Sequence, residues 1–303
     1  MSTGSTILLN NGKHMPAFGL GTWQSKPNEV YDAVLTAIKA GYRHIDTAYV
    51  YRNEKEVGQA IKDSGLPREQ LFVTTKLWNT SHRPELVQPA LEESLRNLQL
   101  DYIDLYLMHW PVAFVPSKKT VPRDANGKTA LDSVDFVDTY AAMEKLLETG
   151  KTRAIGVSNF NISNLERLLK SCKVVPAVNQ VELHPYLAQP ELLDYCAKNN
   201  VHVTAYSPLG STNSPLMQEP VVLEIAKNHS VSPAQVLIGW GLERGCSVIP
   251  KSVTPSRIIS NFHVIKLTPK EFEDMNALTK TLKAQRLLDP SPFWGVDIYK
   301  SKL

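Results

Sequence analysis

Three hundred and three residues, 43% hydrophobic and 21% charged, have the composition of a globular chain with a sizeable core, which excludes a disordered protein. The formal net charge of +3 comes from bases scattered along the chain, not gathered in a block, so neither nucleic acid nor an anionic membrane is an expected partner. No apolar run reaches the roughly eighteen residues of a membrane span, and the opening MSTGSTILLNNGKH lacks the basic and apolar regions of a signal peptide.

The chain opens with a predicted hairpin over Thr6–Met15, turning at Asn11-Gly12 and placed to plug the end of whatever follows. A strand over Ala17–Thr22 precedes a helix whose face is Val30, Ala33, Val34, Ala37 and Ile38, stopped by Gly41. His44–Ala48 reads as the second strand, and Glu54–Ser64 as a helix ended by Gly65 and Pro67. Leu71–Leu77 is the third strand. Pro84 then opens a helix carrying Leu86, Val87, Ala90, Leu91, Leu95 and Leu98, with Pro89 in or near its first turns. Asp104–His109 is the fourth strand, followed by a long polar connection over Pro111–Asp132.

Phe136, Tyr140, Met143 and Leu147 stripe the next helix, closed by Gly150, before a fifth strand over Arg153–Val157. Leu165, Leu168, Leu169 and Cys172 mark a helix face ahead of the strand Val178–Val181. Leu192, Leu193 and Cys196 mark another ahead of Val201–Tyr206. Ser232-Pro233 is an N-cap and first-turn pair for a helix bearing Val236, Leu237 and Trp240, and Ser247–Pro250 is the eighth strand. Thr268 to Glu271 form a capping box for a last helix with Phe272 and Met275. The tail from Leu287 to Leu303 shows no helical period.

Eight strand–helix units without a composition break predict one α/β domain over 1–303, a (β/α)₈ TIM barrel with an N-terminal β-hairpin and a long C-terminal loop. A doubly wound sheet would want a GxGxxG turn after its first strand. Gly19 and Gly21 have that spacing, but Gln24 occupies the third glycine position and no helix follows at once.

The three cysteines, Cys172, Cys196 and Cys246, are odd in number and have no CxxC or zinc-finger spacing, so free thiols in a reducing, cytoplasmic compartment are expected and no metal site is. The chain ends Ser301-Lys302-Leu303, read either as a peroxisomal address or as an ordinary tail.

In such a barrel, polar residues at the C-terminal ends of strands are candidates for chemistry, because the core is layered with branched apolar side chains. Asp46, Lys76 and His109 end three consecutive strands, and Tyr51 lies on the loop leaving the second. The group suits carbonyl reduction: hydride addition to C=O creates an alkoxide that must be protonated, and a tyrosine is the fitting acid. A Lys ammonium ~4 Å from the phenol at an effective dielectric of ~20 contributes roughly 4 kcal/mol, enough to lower its pKa by about three units. Asp46 is then expected to keep Lys76 charged, and His109 to donate to the substrate oxygen.

The runs His44-Ile-Asp-Thr-Ala-Tyr-Val-Tyr-Arg-Asn-Glu-Lys-Glu-Val-Gly58, Thr75-Lys-Leu-Trp78, Asp104-Leu-Tyr-Leu-Met-His-Trp-Pro111, Gly156-Val-Ser-Asn-Phe160 and Ile249-Pro-Lys-Ser252 resemble the signatures of the aldo-keto reductase family, in order and over nearly the whole chain. The opening Gly21-Thr-Trp-Gln24 is similar to that of fungal glycerol dehydrogenase and aldehyde reductase types. The resemblance implies a monomer or weak dimer that binds NADP(H) without a Rossmann fold and acts on a small-molecule carbonyl substrate, with Asp46, Tyr51, Lys76 and His109 as the catalytic tetrad. It assigns Ser158, Asn159 and Gln180 to the nicotinamide carboxamide, Tyr206 to stacking on the ring, and Gly21, Thr22, Ser207, Leu209 and Ser211 to the ribose and pyrophosphate path.

Lys251, Ser252 and Arg257, with Asn261 at the adenine edge, fall where the family holds the adenosine 2′-phosphate. No acid intervenes between Pro250 and Asn261, so NADP(H) is expected over NAD(H). Ser260, just before Asn261, departs from the Glu of many members. Trp23, Trp78, His109, Trp110, Phe114, Phe293 and Trp294 are expected to wall the substrate pocket, with small polyol-derived carbonyls as first substrates and aromatic or keto-ester carbonyls next. The alternative is a regulatory or structural barrel that binds cofactor without useful turnover, and the complete tetrad speaks against it. A zinc alcohol dehydrogenase would need cysteines and a Rossmann turn that this sequence lacks.

Overall fold

A computed structural model of the chain describes residues 4–26, 28–211, 214–281 and 284–299. The tripeptide Ser301-Lys302-Leu303 lies outside the described residues. Strands β1 (Thr6–Leu8) and β2 (His14–Pro16) pair antiparallel as the expected hairpin, with Gly12 at φ +77° in its turn. Eight parallel strands follow in chain order: β3 (Leu20–Gly21), β4 (His44–Asp46), β5 (Phe72–Leu77), β6 (Leu105–Met108), β7 (Ile155–Ser158), β8 (Val178–Glu182), β9 (His202–Tyr206) and β10 (Ser247–Val248). Single bridges from Phe18 to Val248 and from Gly21 to Lys251 join the first strand to the last and complete the (β/α)₈ barrel.

The first and last barrel strands are shorter than the sequence pattern predicts, because the seam between them is laddered only by isolated hydrogen bonds such as Gly19 N to Val248 O and Gly21 N to Pro250 O. Glycine is required there. A Cβ on Gly21 would stand 2.8 Å from the Ile249 carbonyl oxygen, and one on Gly19 would stand 2.8 Å from the His44 ring.

The helices bury the faces that their period predicts. Helix Glu29–Ala40 turns Val30, Ala33, Val34, Ala37 and Ile38 to the sheet and stops at Gly41, φ +107°. The expected capping box of Thr268 with Glu271 opens Pro269–Thr281, and the Ser232 N-cap of Pro233–Glu243 also forms a box with Gln235. Pro89 lies in the second turn of helix Pro84–Leu98, on its exposed side. Two short helices that the sequence pattern did not separate from loops, Pro220–Asn228 and Pro255–Asn261, each begin at a proline. The tail also holds one helical turn, Ser291–Trp294.

The hairpin closes the N-terminal mouth. Leu9 and Met15 pack against Phe72, Leu105, Leu107, Ala154, Ala177 and Val178, while Asn10 Nδ2 donates to the carbonyls of Pro176 and Asn200, both at 3.0 Å. The C-terminal mouth is left to the loops. Cys196 and Cys246 are buried and Cys172 partly so, all free thiols. Among the described residues no helix is long and apolar enough to cross a membrane.

Candidate active site

The four tetrad residues meet at the C-terminal mouth. Asp46 is the last residue of β4, Lys76 the penultimate residue of β5, and His109 follows directly on β6. A single turn of tight helix over Tyr49–Tyr51 folds the chain back after β4, bringing the Tyr51 hydroxyl over the Lys76 ammonium. Lys76 is fully buried, and its Nζ donates to Asp46 Oδ1 at 2.6 Å, to the Thr47 carbonyl at 2.8 Å and to Tyr51 Oη at 3.5 Å. An ammonium has three protons, and each has a partner here. The second Asp46 oxygen accepts from Gln180 Nε2 at 2.7 Å. A further buried acid, Glu54, accepts from Thr75 on the same strand as Lys76 at 2.7 Å and adds to the negative field that holds the ammonium. Nothing local in the sequence separates Glu54 from its exposed helical neighbours.

The electrostatics correct one expectation. Burial pushes the Tyr51 phenol well above its ordinary value, and the Asp46 charge pushes it further the same way. The cation at 3.5 Å favours the phenolate, but desolvation by burial outweighs that attraction and Asp46 acts in the same direction as burial. Burial also lowers the Lys76 pKa, opposed by attraction to Asp46 and Glu54. His109 falls well below the usual imidazole range through burial first and the nearby Lys76 charge second, so its ring is neutral.

A cavity of about 660 Å³ opens above these residues, with Asp46, Tyr51, His109, Trp78 and Trp110 at its base. Indole and imidazole rings pack edge to face: Trp78 lies 5.3 Å and Tyr51 5.8 Å from His109, centroid to centroid. Trp294, from the tail, packs 5.1 Å from Trp110 and joins the wall. Trp78 Nε1 donates to the Thr120 carbonyl at 2.7 Å, fastening the long connection after β6 to the rim.

Trp23 also lines the cavity, whereas two other expected wall residues do not. Phe114 is buried behind Trp294, 5.0 Å from its ring, and Phe293 is 74% exposed. The turn Ser291–Trp294 presents alternate ring faces, so the Trp294 indole points in and its neighbour points out.

On the other flank, Ser158, Asn159, Gln180 and Tyr206 come together. Tyr206 Oη donates to Asn159 Oδ1 at 2.8 Å, Asn159 Nδ2 to the His109 carbonyl at 2.9 Å, and Ser158 Oγ to the Gln180 carbonyl at 2.8 Å. Gly21, Thr22, Ser207, Leu209 and Ser211 continue the lining toward Lys251 and Arg257. Ser252 instead accepts from Thr254 N at 3.2 Å before helix Pro255–Asn261, and Asn261 is buried at the end of that helix. Neither lines the cavity. The lining also includes Gln24, Val50 and Ile249, which lie within the motifs without an assigned role, and Pro208, Ser214, Met217, Leu288 and Pro290, which no motif marks.

The donor set fits a phosphate-bearing dinucleotide. Among the described residues the one acid on the lining is Asp46, already paired with Lys76, and the two cations stand on the β10 side.

Comparison with known proteins agrees with this geometry. The Aldo/keto reductase family model matches residues 16–281. The chain is similar to Glycerol 2-dehydrogenase (NADP(+)) of Saccharomyces cerevisiae, 52% identical over 300 residues and 95% of each chain. It is also similar to human Aldo-keto reductase family 1 member A1, 48% identical over 291 residues, 91% of this chain and 90% of that one. The structure of aldose reductase from Schistosoma japonicum superposes with a TM-score of 0.93 at 43% identity, over 98% of this chain and 99% of that one. A family match over most of the chain, a relative at half identity along nearly its full length and a shared barrel leave one conclusion: the chain belongs to the aldo/keto reductase family.

Proposed function

We propose that this protein is an NADPH-dependent reductase of aldehydes and ketones in which Tyr51 donates the proton. The observation that carries this reading is the Lys76 ammonium, paired with Asp46 at 2.6 Å and 3.5 Å from the Tyr51 hydroxyl, beneath a cavity lined by His109. A bound NADPH supplies the hydride; the chain's own residues bind, orient and protonate. Ser158, Asn159 and Gln180 would hold the carboxamide, and Tyr206 would stack on the ring. The neutral His109 orients the carbonyl oxygen by hydrogen bonding without competing as an acid.

As the carbonyl oxygen gains charge its basicity approaches that of hydroxide, whose conjugate acid has a pKa of about 15.7. Even a phenol with a raised pKa is a strong enough acid to protonate it. The phenol therefore carries its proton through the neutral range, the form that reduction needs, and the upward shift extends that form into alkaline pH. The phenolate left behind lies against Lys76, where a Coulomb attraction of about 5 kcal/mol at an effective dielectric of ~20 stabilises it.

Two yeast relatives are named as a glycerol 2-dehydrogenase and an aldehyde reductase, and small polyol-derived carbonyls such as glyceraldehyde are the proposed first substrates. Repeated turnover of NADPH with glyceraldehyde is the test, and cofactor binding without turnover would overturn the reading. Lys251 and Arg257 are proposed to read the 2′-phosphate. Lys251→Met combined with Arg257→Ala should weaken NADPH binding by about 10- to 100-fold and NADH binding by less than about threefold. Equal losses for the two cofactors, measured by fluorescence titration, would remove the phosphate site from these residues.

A further inference from the structure

One buried acid at the same mouth has no part in this chemistry. Glu182 closes β8, is wholly inaccessible, and lies two residues beyond Gln180 on the same face of the strand. Gln180 reaches inward to Asp46. Glu182 reaches the C-terminal tail instead: Oε1 accepts from the backbone N–H of Leu287 at 2.7 Å and from His184 Nε2 at 2.9 Å, and Oε2 accepts from the N–H of Leu288 at 2.8 Å. Burial would raise this carboxyl, but the hydrogen bonds from His184, Leu287 and Leu288 outweigh it and hold Glu182 below the usual carboxylate range. It is an anion held by its donors.

The neighbouring contacts converge on the same short stretch. Gln285 N donates to the Tyr186 carbonyl at 3.0 Å, and Tyr299 Oη donates to the Leu288 carbonyl at 3.2 Å. Immediately past the anchor, Leu288, Pro290 and Trp294 line the cavity. Glu182 also pairs in register with Tyr206 on β9, so the tail is tied to the rim beside the nicotinamide-stacking residue.

We propose that Glu182 is a positioning residue for the substrate pocket: its buried carboxylate grips the consecutive N–H groups of Leu287 and Leu288, seats the wall formed by Leu288, Pro290 and Trp294, and so sets affinity for carbonyl substrates long enough to reach that wall. The proposal rests on the carbonyl-reductase reading above. Two convergent N–H donors need an acceptor at both positions. A glutamine offers one acceptor oxygen and one NH₂, and that NH₂ would face a donor. Short substrates held between Tyr51 and His109 do not extend to the tail and should not sense the anchor.

The test compares wild type with Glu182→Gln, using hexanal as the long probe and glyceraldehyde as the short one. The variant should raise KM for hexanal by about tenfold or more, with kcat and KM for glyceraldehyde within about threefold. Hydrogen exchange at the Leu287 and Leu288 amides should accelerate by about 100-fold in the variant. Leu287→Pro removes one of the two donors without touching the barrel. It should reproduce the hexanal effect and the faster exchange at Leu288, and it decides the matter if Glu182→Gln does not fold.

Unchanged amide protection, or equal shifts for both aldehydes, would overturn the anchoring role. Failure of the wild-type protein to oxidise NADPH with either aldehyde would instead overturn the enzymatic reading, with amide exchange still reporting on the anchor by itself.

Discussion

Tyr51→Phe should lower kcat for aldehyde reduction by about 10²- to 10⁴-fold while changing the Kd for NADPH by less than about threefold. The substitution deletes one hydroxyl and little else: the ring keeps its edge contact with His109 at 5.8 Å, and Lys76 keeps its two shorter bonds, to Asp46 and to the Thr47 carbonyl. The two directions of the wild-type reaction should also differ in pH dependence. Because burial and Asp46 raise the phenol, the protonated form that serves reduction persists through neutral and mildly alkaline pH, so kcat/KM for reduction should be flat there. Alcohol oxidation needs the deprotonated form and should climb steadily over the same range. Full turnover in the phenylalanine variant, or an oxidation rate that does not rise with pH, would remove Tyr51 from the role of acid and base.

Lys76→Met should be costly in two separable ways. Removing the ammonium leaves Asp46 without its cation in a site where both groups are almost wholly buried, a loss on the order of 3–5 kcal/mol and a Tm lower by about 10 °C. Reduction should fall by about 10³-fold as well, because the phenolate left at Tyr51 loses its neighbouring cation. The double variant Lys76→Met with Asp46→Asn separates the two effects. It removes both charges, so it should recover much of the stability and none of the rate. Recovery of rate together with stability would mean that Lys76 serves only to support the fold.

Local patterning made most of the scaffold legible. Apolar runs alternating with helical periods give eight units, and the stop signals at Gly41 and Gly150, the Ser232 N-cap and the Thr268–Glu271 capping box act within a few residues of themselves. The tetrad was legible for the same kind of reason: a charged or polar residue at the end of an apolar barrel strand is conspicuous in one dimension, and strand order alone makes β4, β5 and β6 neighbours.

Other features depended on where distant segments meet. Glu182 and the tail amides it grips are 105 and 106 residues apart, and only their encounter turns an unremarked strand-end acid into an anchor. Phe114 and Trp294 look alike as rim aromatics until packing puts one behind the other, and Ser252 and Arg257 look alike as phosphate ligands until helix Pro255–Asn261 carries Arg257 to the cavity and leaves Ser252 outside it.

The direction of the Tyr51 shift belongs to the same class. Residue identity supplies the charges of Lys76 and Asp46, but whether a phenol beside that pair is raised or lowered is a contest between attraction and desolvation. Only the folded surroundings decide the second of these.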